Sequence, residues 1–494
     1  MLDYTAMSYP ALSGRIQLSI SLGLVAYLAF VGIARADEGY GDFVDNAFYL
    51  GALALYLLLL VLPIFLPLGR GGILNPLLLT GLFTLASTVG RQTEFFITGL
   101  QSHDAIPHMS RDDLHYLVIY GWLLQSLALL CTYAAFYSNL RIRVPDFVAG
   151  QGSGKYFPHV ALLVIGCAFG AVIYYVGSAG GISEQIVRAA KGVSFRLAEQ
   201  NTDAYGQYVV LLKAAATILL FWLCAEPNAT RRILFWVSAV GVFSGIWIIT
   251  GKRASLIVWA YIFMCGWMFS NRKVPVGRLV LFGVLAFVVL GVLGLVRTDN
   301  WTRTSDASVD ALRSVSIGEL VRAIGDETTM RSGQGNLYYA VLAHVPTSVD
   351  LLYGVSLLEN GYRFIPRALW VEKPRGIDVR AARVFMDADH GIPIGPVGEA
   401  YWNGHVLGVI VLFVALGLFY RWLYDALLAN LQNAAIGSLY IISVVMFGIG
   451  QPQIGNWMQT IIPAVLLYWL AGGLQTRQPF VTRLHAIAPS QSLR

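Results

Sequence analysis

Long apolar runs with almost no charge are the sequence feature that most constrains this chain. Runs of about 18 or more such residues recur along its length, and each is long enough to cross a bilayer as a helix. Of its 494 residues, 56% are hydrophobic and 13% are charged. A soluble domain has roughly twice that charged fraction. The sequence therefore predicts an all-α polytopic membrane protein whose core consists of helices packed in lipid.

The apolar runs predict about twelve transmembrane helices. Those before residue 297 are Ile16–Ala34, Phe48–Leu68, Ile73–Gly90, His115–Ser138, Pro158–Gly177, Gly206–Ala225, Arg232–Thr250, Ala254–Ser270 and Arg278–Val296. Those after residue 403 are Gly404–Tyr424, Ala434–Gly450 and Asn456–Gly473. A short amphipathic segment near residues 178–205 is expected to lie along the membrane surface. The predicted divisions are residues 1–296, a large, partly helical loop at 297–403, residues 404–473 and a tail at 474–494.

Basic residues in the short loops predict the orientation. They gather in three loops and the tail: Arg141, Arg143 and Lys155; Arg231 and Arg232; Arg272, Lys273 and Arg278; Arg477 and Arg483. By the positive-inside rule, both termini are expected in the cytoplasm, and the 297–403 loop is expected on the external side.

The large external loop is itself rich in basic residues, and loops of this length are usually functional. Arginine matches phosphate oxygens in two-pronged geometry, so the set favours an anion site at the outer membrane–water boundary. The candidates are Arg363, Arg367, Lys373 and Arg375, joined by Lys252 and Arg253 from a very short external turn. For any single arginine, the alternative is a solvated charge paired with a local acid such as Glu359, Glu372 or Asp378.

The segment Tyr362–Gly376, YRFIPRALWVEKPRG, concentrates these candidates. Its two prolines restrict the backbone, and Trp370 suits an interfacial position. Arg367, Lys373 and Arg375 would then form a fairly rigid cationic array. A structural turn with a tryptophan anchor is an equally good interpretation.

A second segment, GIPIGPVGEAYWNGHVLGVI at Gly391–Ile410, leads into a predicted span. Glu399 lies just before that span, with Asn403 and His405 within one or two helical turns. A carboxylate at the mouth of a bundle is a candidate general base, and pairing with a nearby arginine is the alternative. For His405, an interfacial hydrogen bond is favoured over catalysis.

Two further motifs favour structural interpretations. Arg91 and Glu94 are three residues apart and are expected to form a helical ion pair. The sequence DADH, Asp387–His390, contains an Asp-x-Asp motif, but no strand-rich nucleotide-binding pattern surrounds it. The sequence predicts no metal site and no cofactor.

The many spans, the single large loop and two of its segments together resemble a known family. IPRALWVEKP and GPVGEAYWNGHVLGVI, in that order, are similar to segments of bacterial Wzy-type polysaccharide polymerases, which join O-antigen or exopolysaccharide repeat units. The sequence likeness covers about Leu352–Gly408 and GKRAS at Gly251–Ser255. The topological likeness extends over nearly the whole chain.

This resemblance implies an inner-membrane glycosyltransferase of the all-helical GT-C kind with a periplasmic active site. Its substrate would be an undecaprenyl-pyrophosphate-linked oligosaccharide. Its partners would be the growing polysaccharide, membrane lipid, a chain-length regulator and a flippase. The resemblance implies no binding to nucleic acid. Fixed cations would stabilise the departing pyrophosphate without a metal. Glu399, Arg367 and Arg253 would be catalytic. The expected substrate-binding residues are Lys252, Arg363, Lys373, Arg375, Arg91, His405, Asn403, Tyr401 and Trp370.

Three other functions remain open from the sequence. An O-antigen ligase would share the donor and differ in its acceptor. A flippase for lipid-linked oligosaccharides would place polar residues inside the spans, where Lys213 is the main candidate. A structural scaffold would leave the basic loop without a purpose.

Overall fold

The computed structural model describes most of the helical bundle and part of the large loop. The described residues are 14–37, 43–66, 72, 74–81, 84–85, 111–140, 147–149, 156–178, 181, 202–226, 228–250, 253–272, 334–362, 365, 370, 372–387, 391, 394–448, 454–471 and 474–476.

The described fold is helical apart from one short strand pair. The first helices are α1 (Gly14–Asp37), α2 (Phe43–Phe65), α3 (Arg111–Phe136), α4 (Phe157–Ser178), α5 (Thr202–Ala225), α6 (Ile233–Thr250) and α7 (Arg253–Asn271). The predicted loop contains α8 (Gln334–His344), α9 (Val355–Gly361) and α10 (Ile377–Met386). The chain continues with α11 (Gly395–Ala429), α12 (Ala434–Met446) and α13 (Ile454–Leu470). The strands are β1 (Phe147–Ala149) and β2 (Leu474–Thr476).

The apolar helices confirm the prediction of a helical membrane protein, but they do not confirm twelve spans. Within the described residues, 6 helices are long and apolar enough to cross a membrane: α2, α3, α4, α5, α6 and α11. Four shorter apolar helices lie in α1, α7, α12 and α13. The predicted span Arg278–Val296 lies outside the described residues, and Ile73–Gly90 and the 178–205 segment are only partly described.

Helices α3 and α11 form the most extensive helix pair and run parallel. The Tyr120 and Tyr401 rings lie 6.2 Å apart near their N-terminal ends. Further along, the Thr132 hydroxyl donates to the Phe413 carbonyl oxygen at 3.3 Å. A Cβ atom at Gly417 would lie only 2.3 Å from the Thr132 carbonyl oxygen. Glycine at this position therefore allows the two backbones to approach closely.

The strand pair fixes which segments share one end of the bundle. Strand β1 follows α3, β2 follows α13, and they pair antiparallel with Val148 opposite Gln475. The C-terminal end of α5 lies at this same end, because the Tyr468 hydroxyl of α13 donates to the Thr217 carbonyl oxygen at 2.7 Å. We call this the strand end. It also carries the basic loop with Arg231 and Arg232, in agreement with the predicted grouping of basic loops.

Helices α8 to α10 lie at the opposite end, which we call the site end. The Tyr338 hydroxyl of α8 donates to the Gly121 carbonyl oxygen at 3.0 Å. Gly121 lies fifteen residues before the C-terminus of α3, a helical rise of about 22 Å. Burial raises the pKa of Tyr338 well above its ordinary value, so this hydroxyl remains a donor.

The predicted boundary between the large loop and the next span falls where α11 has non-helical backbone angles, at Gly404 and His405. The sequence analysis begins the span at Gly404, whereas α11 begins at Gly395. Pro396 occupies the first turn of α11, where its missing N–H group is not needed, so it starts the helix rather than breaking it. Glu399 and Asn403 consequently lie within a helix and have fixed directions.

Replacing Gly417 by valine is expected to force α3 and α11 apart, because its neighbour is a main-chain carbonyl that cannot move aside. Gly417→Val should destabilise the protein by about 1–3 kcal/mol or more. Thermal denaturation in detergent measures the loss. Gly166→Val is the matched control, since a Cβ atom there meets nothing within 4 Å. Equal melting temperatures for the two variants would contradict the close contact.

Candidate functional site

Main-chain contacts attach the segment before α9 to the first part of α11. The Leu352 N–H donates to the Trp402 carbonyl oxygen at 2.9 Å. The Trp402 indole N–H in turn donates to the Asp350 carbonyl oxygen at 3.1 Å. The Trp402 ring is 2% exposed and packs against Phe385 of α10 at 5.3 Å between centroids. A buried ring thus brings α9, α10 and α11 together at the site end.

A buried hydrogen-bonded cluster of Ser356, Glu399 and Asn403 lies at this junction. The Ser356 hydroxyl donates to Glu399 Oε1 at 2.8 Å. Asn403 Nδ2 lies 2.6 Å from Ser356 Oγ and 2.7 Å from the Glu399 carbonyl oxygen, and Asn403 Oδ1 accepts from the Gly354 N–H at 3.0 Å. Glu399 is 8% exposed and Asn403 is 6% exposed. The predicted base is therefore buried beneath α9 and held by hydrogen bonds.

A second buried carboxylate, Glu359, lies one turn after Ser356 on α9. Its Oε1 forms an ion pair with Arg380 of α10. The Glu359 side chain is 8% exposed, while that of Arg380 is 29% exposed. The pair joins α9 to α10.

Helix α11 is kinked directly after this cluster. Gly404 and His405 have non-helical backbone angles, and His405 has φ 54° and ψ −146°. That conformation is essentially restricted to glycine and costs a residue with a Cβ atom about 1–3 kcal/mol. A Cβ atom at Gly408 would lie 2.2 Å from the Ala400 carbonyl oxygen, so the kink also requires glycine there.

An aromatic pair supports the kink. The Tyr401 hydroxyl and His405 Nε2 lie 2.6 Å apart, and the two ring centroids lie 4.4 Å apart. Tyr401 is 3% exposed, and its ring also packs edge-to-face on Tyr120 of α3. The hydrogen bond expected for His405 is present. This packing favours a shaping role for both residues, and their contact with substrate stays a prediction.

The described part of the basic segment folds back on itself. The Lys373 ammonium donates to the Ile365 carbonyl oxygen at 2.8 Å, and the Lys373 N–H donates to the Trp370 carbonyl oxygen at 3.2 Å. The Trp370 and Tyr362 rings lie 4.9 Å apart. Trp370 is 37% exposed, and Arg375 is also exposed. These contacts agree with a constrained turn that presents a tryptophan and a cation at its surface.

The structure brings together only some of the residues selected from the sequence. Glu399, Asn403, Tyr401 and His405 share the first part of α11, and Trp370, Lys373 and Arg375 lie in the segment before α10. Arg253 is the first residue of α7. The predicted anion-binding residues Arg91, Lys252, Arg363 and Arg367 lie outside the described residues. The cationic array as a whole stays a prediction.

Sequence reasoning missed Ser356, and it treated Glu359 only as a local partner for arginine. Ser356 lies 43 residues from Glu399, and Arg380 lies 21 residues from Glu359. Residues this far apart in the sequence have no fixed spacing that would predict their contact. A useful signal was the SLLEN sequence at Ser356–Asn360, which places a serine and an acid one turn apart in an otherwise apolar stretch.

Among the described residues, no group of three or more His, Cys, Asp or Glu side chains could hold a metal ion. From the DADH motif, Asp387 is the left-handed C-cap of α10, and the following three residues lie outside the described part.

Comparison with protein-family models, with curated proteins and with solved structures finds no match to this chain.

In most helices an alanine variant is more stable than a glycine variant. The strained backbone at His405 should reverse that order of stability. His405→Gly is expected to be more stable than His405→Ala by about 1–2 kcal/mol, because only glycine adopts this conformation freely. Both variants lose the imidazole, so the comparison isolates the backbone. Thermal denaturation of the purified variants in detergent gives the difference.

Leu407 supplies the control for that comparison. It is 69% exposed and has regular helical geometry. Leu407→Ala should therefore be more stable than Leu407→Gly by about 0.5–1 kcal/mol. If alanine is also favoured at position 405, the kink as described here is wrong.

Proposed function

We propose that the chain is a membrane glycosyltransferase that polymerises lipid-linked oligosaccharide repeat units. The substrate would be an oligosaccharide on undecaprenyl pyrophosphate, and the product a longer O-antigen or exopolysaccharide chain. The observation that carries this proposal is the buried Ser356–Glu399–Asn403 cluster at the mouth of an apolar bundle. A lipid carrier can remain in the bilayer while its glycan reaches a polar site at that boundary.

In the proposed reaction, an acceptor sugar hydroxyl attacks the anomeric carbon of the donor glycan. A new C–O bond forms as the bond to the pyrophosphate oxygen breaks, and undecaprenyl pyrophosphate leaves with the electron pair. Glu399 takes the proton from the acceptor hydroxyl. The Ser356 hydroxyl, at 2.8 Å from Oε1, fixes the carboxylate for this step.

Cations near the membrane boundary would stabilise the leaving pyrophosphate. Arg375 and Lys373 lie in the segment that precedes α10, and Arg375 is exposed. Arginine stays charged throughout and can contact two phosphate oxygens at once. Arg253, Arg363 and Arg367 complete the proposed set, with Lys252 and Arg91 as further contacts.

The proposed orientation places the site end in the periplasm and both termini in the cytoplasm. The strand end carries the basic loop with Arg231 and Arg232, as the positive-inside rule requires of a cytoplasmic face. The growing glycan and the lipid carrier would meet at the periplasmic face of the inner membrane. A chain-length regulator and a flippase are the proposed protein partners.

One observation favours a flippase as the second candidate. Lys213, 8% exposed, lies inside α5, and its ammonium donates to Gln459 Oε1 of α13 at 3.1 Å. Ionisable residues within spans often mark transport pathways. More buried polar side chains meet at the site end, where Ser356, Glu399 and Asn403 form one cluster, so glycosyl transfer remains the main proposal.

The direct test is polymerisation by the purified protein. Undecaprenyl-pyrophosphate-linked repeat units from the native host are incubated with the protein and a chelator, without nucleotide sugars. Wild type should produce a glycan ladder on a gel. Glu399→Gln should reduce the rate by about 10²–10⁴-fold, as expected for loss of a general base.

Asp425→Asn is the matched control, because Asp425 lies on the same helix at the strand end and pairs with Arg421 at 3.0 Å. It should leave the ladder intact. A ladder that survives Glu399→Gln would remove Glu399 as the base while keeping the function. Absence of a ladder from folded wild type would reject polymerisation. Adding lipid A core as acceptor, and assaying lipid translocation in vesicles, would then separate a ligase from a flippase.

A further inference from the structure

Helix α9 has two faces of opposite character. Leu358 is 74% exposed and Val355 is 45% exposed, whereas Ser356 and Glu359 are 1% and 6% exposed. Ser356 and Glu359 are three residues apart and therefore neighbours on one helical face. Ser356 on that face belongs to the Ser356–Glu399–Asn403 cluster, and Glu359 is a second buried carboxylate one turn further along the same face.

The two oxygens of Glu359 have different surroundings. Oε1 is paired with Arg380, while Oε2 is buried and has no hydrogen-bond donor among the residues that the structure describes. A buried acceptor without a donor costs about 1–3 kcal/mol, and more when it is charged. Such a group calls for a donor that the described residues do not supply.

We infer that Glu359 Oε2 accepts a hydrogen bond from a hydroxyl group of a bound glycan, so that α9 forms a sugar subsite. The inference rests on the proposed function and adds a residue to it. The negative carboxylate would repel a phosphate, so this subsite takes a hydroxyl-bearing part of the glycan. Arg380 holds the Glu359 carboxylate in place, and Ser356, one turn earlier on the same helix, donates to Glu399.

Access to Oε2 requires α9 to shift. The turn that leads into α9 contains two consecutive left-handed residues, Tyr353 with φ 48° and Gly354 with φ 86°. Tyr353 is 80% exposed, and the outward face of α9 is not covered by other described residues. Movement about this turn would break the hydrogen bonds that join Gly354 and Ser356 to α11 and open the subsite, while α3 and α11 stay packed on each other.

Native mass spectrometry of the full chain can test the subsite without measuring catalysis. The two probes are undecaprenyl pyrophosphate carrying the glycan from the native host and undecaprenyl pyrophosphate alone. Wild type should bind the glycan-bearing lipid more tightly. Glu359→Gln should reduce that preference by at least about tenfold, because it removes a hydrogen bond to a charged acceptor. Affinity for the bare lipid should not change.

Two further variants keep the result interpretable. The double variant Glu359→Gln with Arg380→Gln leaves no unpaired charge from the ion pair. It should lose the preference for the glycan-bearing lipid to the same extent as Glu359→Gln. Glu372→Gln removes an exposed carboxylate from the same region and should behave as wild type.

The outcomes separate this inference from the proposed function. If wild type prefers the glycan-bearing lipid and both Glu359 variants keep that preference, the subsite is wrong and the proposed function survives. The same holds if the variants change only the melting temperature, since Glu359 would then have a purely structural role. If wild type shows no preference, the subsite and the proposed function both fail.

Discussion

The carboxamide of Asn403 makes the hydrogen bonds on which the site end depends. Its Nδ2 contacts the Ser356 hydroxyl and the Glu399 carbonyl, and its Oδ1 accepts from the Gly354 main chain. One side chain thereby fixes the start of α9, the Ser356 hydroxyl and the turn of α11 that carries Glu399. Because a buried polar group is costly unless it is paired, these contacts favour the described position of α9, and the shift proposed for glycan entry has to break them.

The backbone of α11 makes this arrangement possible. Its first turns run beside α3 and carry Glu399 and Asn403, and the kink at Gly404 and His405 then redirects the helix toward the strand end. Close approaches at Gly408 and Gly417 leave no room for a side chain. Strain at His405 is accepted where the surrounding structure fixes the backbone, a pattern that is common at functional sites.

Composition and hydropathy were sufficient to predict a helical membrane protein, since uncharged runs of this length have few other stable structures. Local sequence also selected Glu399, Asn403 and His405, which the structure places within two turns of one another, and their role stays a prediction. Ser356 and the pairing of Glu359 with Arg380 could not be found in this way, because those contacts join segments far apart in the chain. The helical turns before Gly404 were not predicted, because Gly395 and Pro396 usually signal a loop, yet here they begin a helix.

A double-mutant cycle between Ser356 and Glu399 tests most directly whether this buried cluster holds the site together. Ser356→Ala, Glu399→Gln and the double variant are compared with wild type by equilibrium unfolding in bilayers. The account predicts a coupling free energy between about 0.5 and 3 kcal/mol, as expected for residues in one hydrogen-bond network. Additive effects, with no coupling beyond error, would contradict the contact and the site built on it.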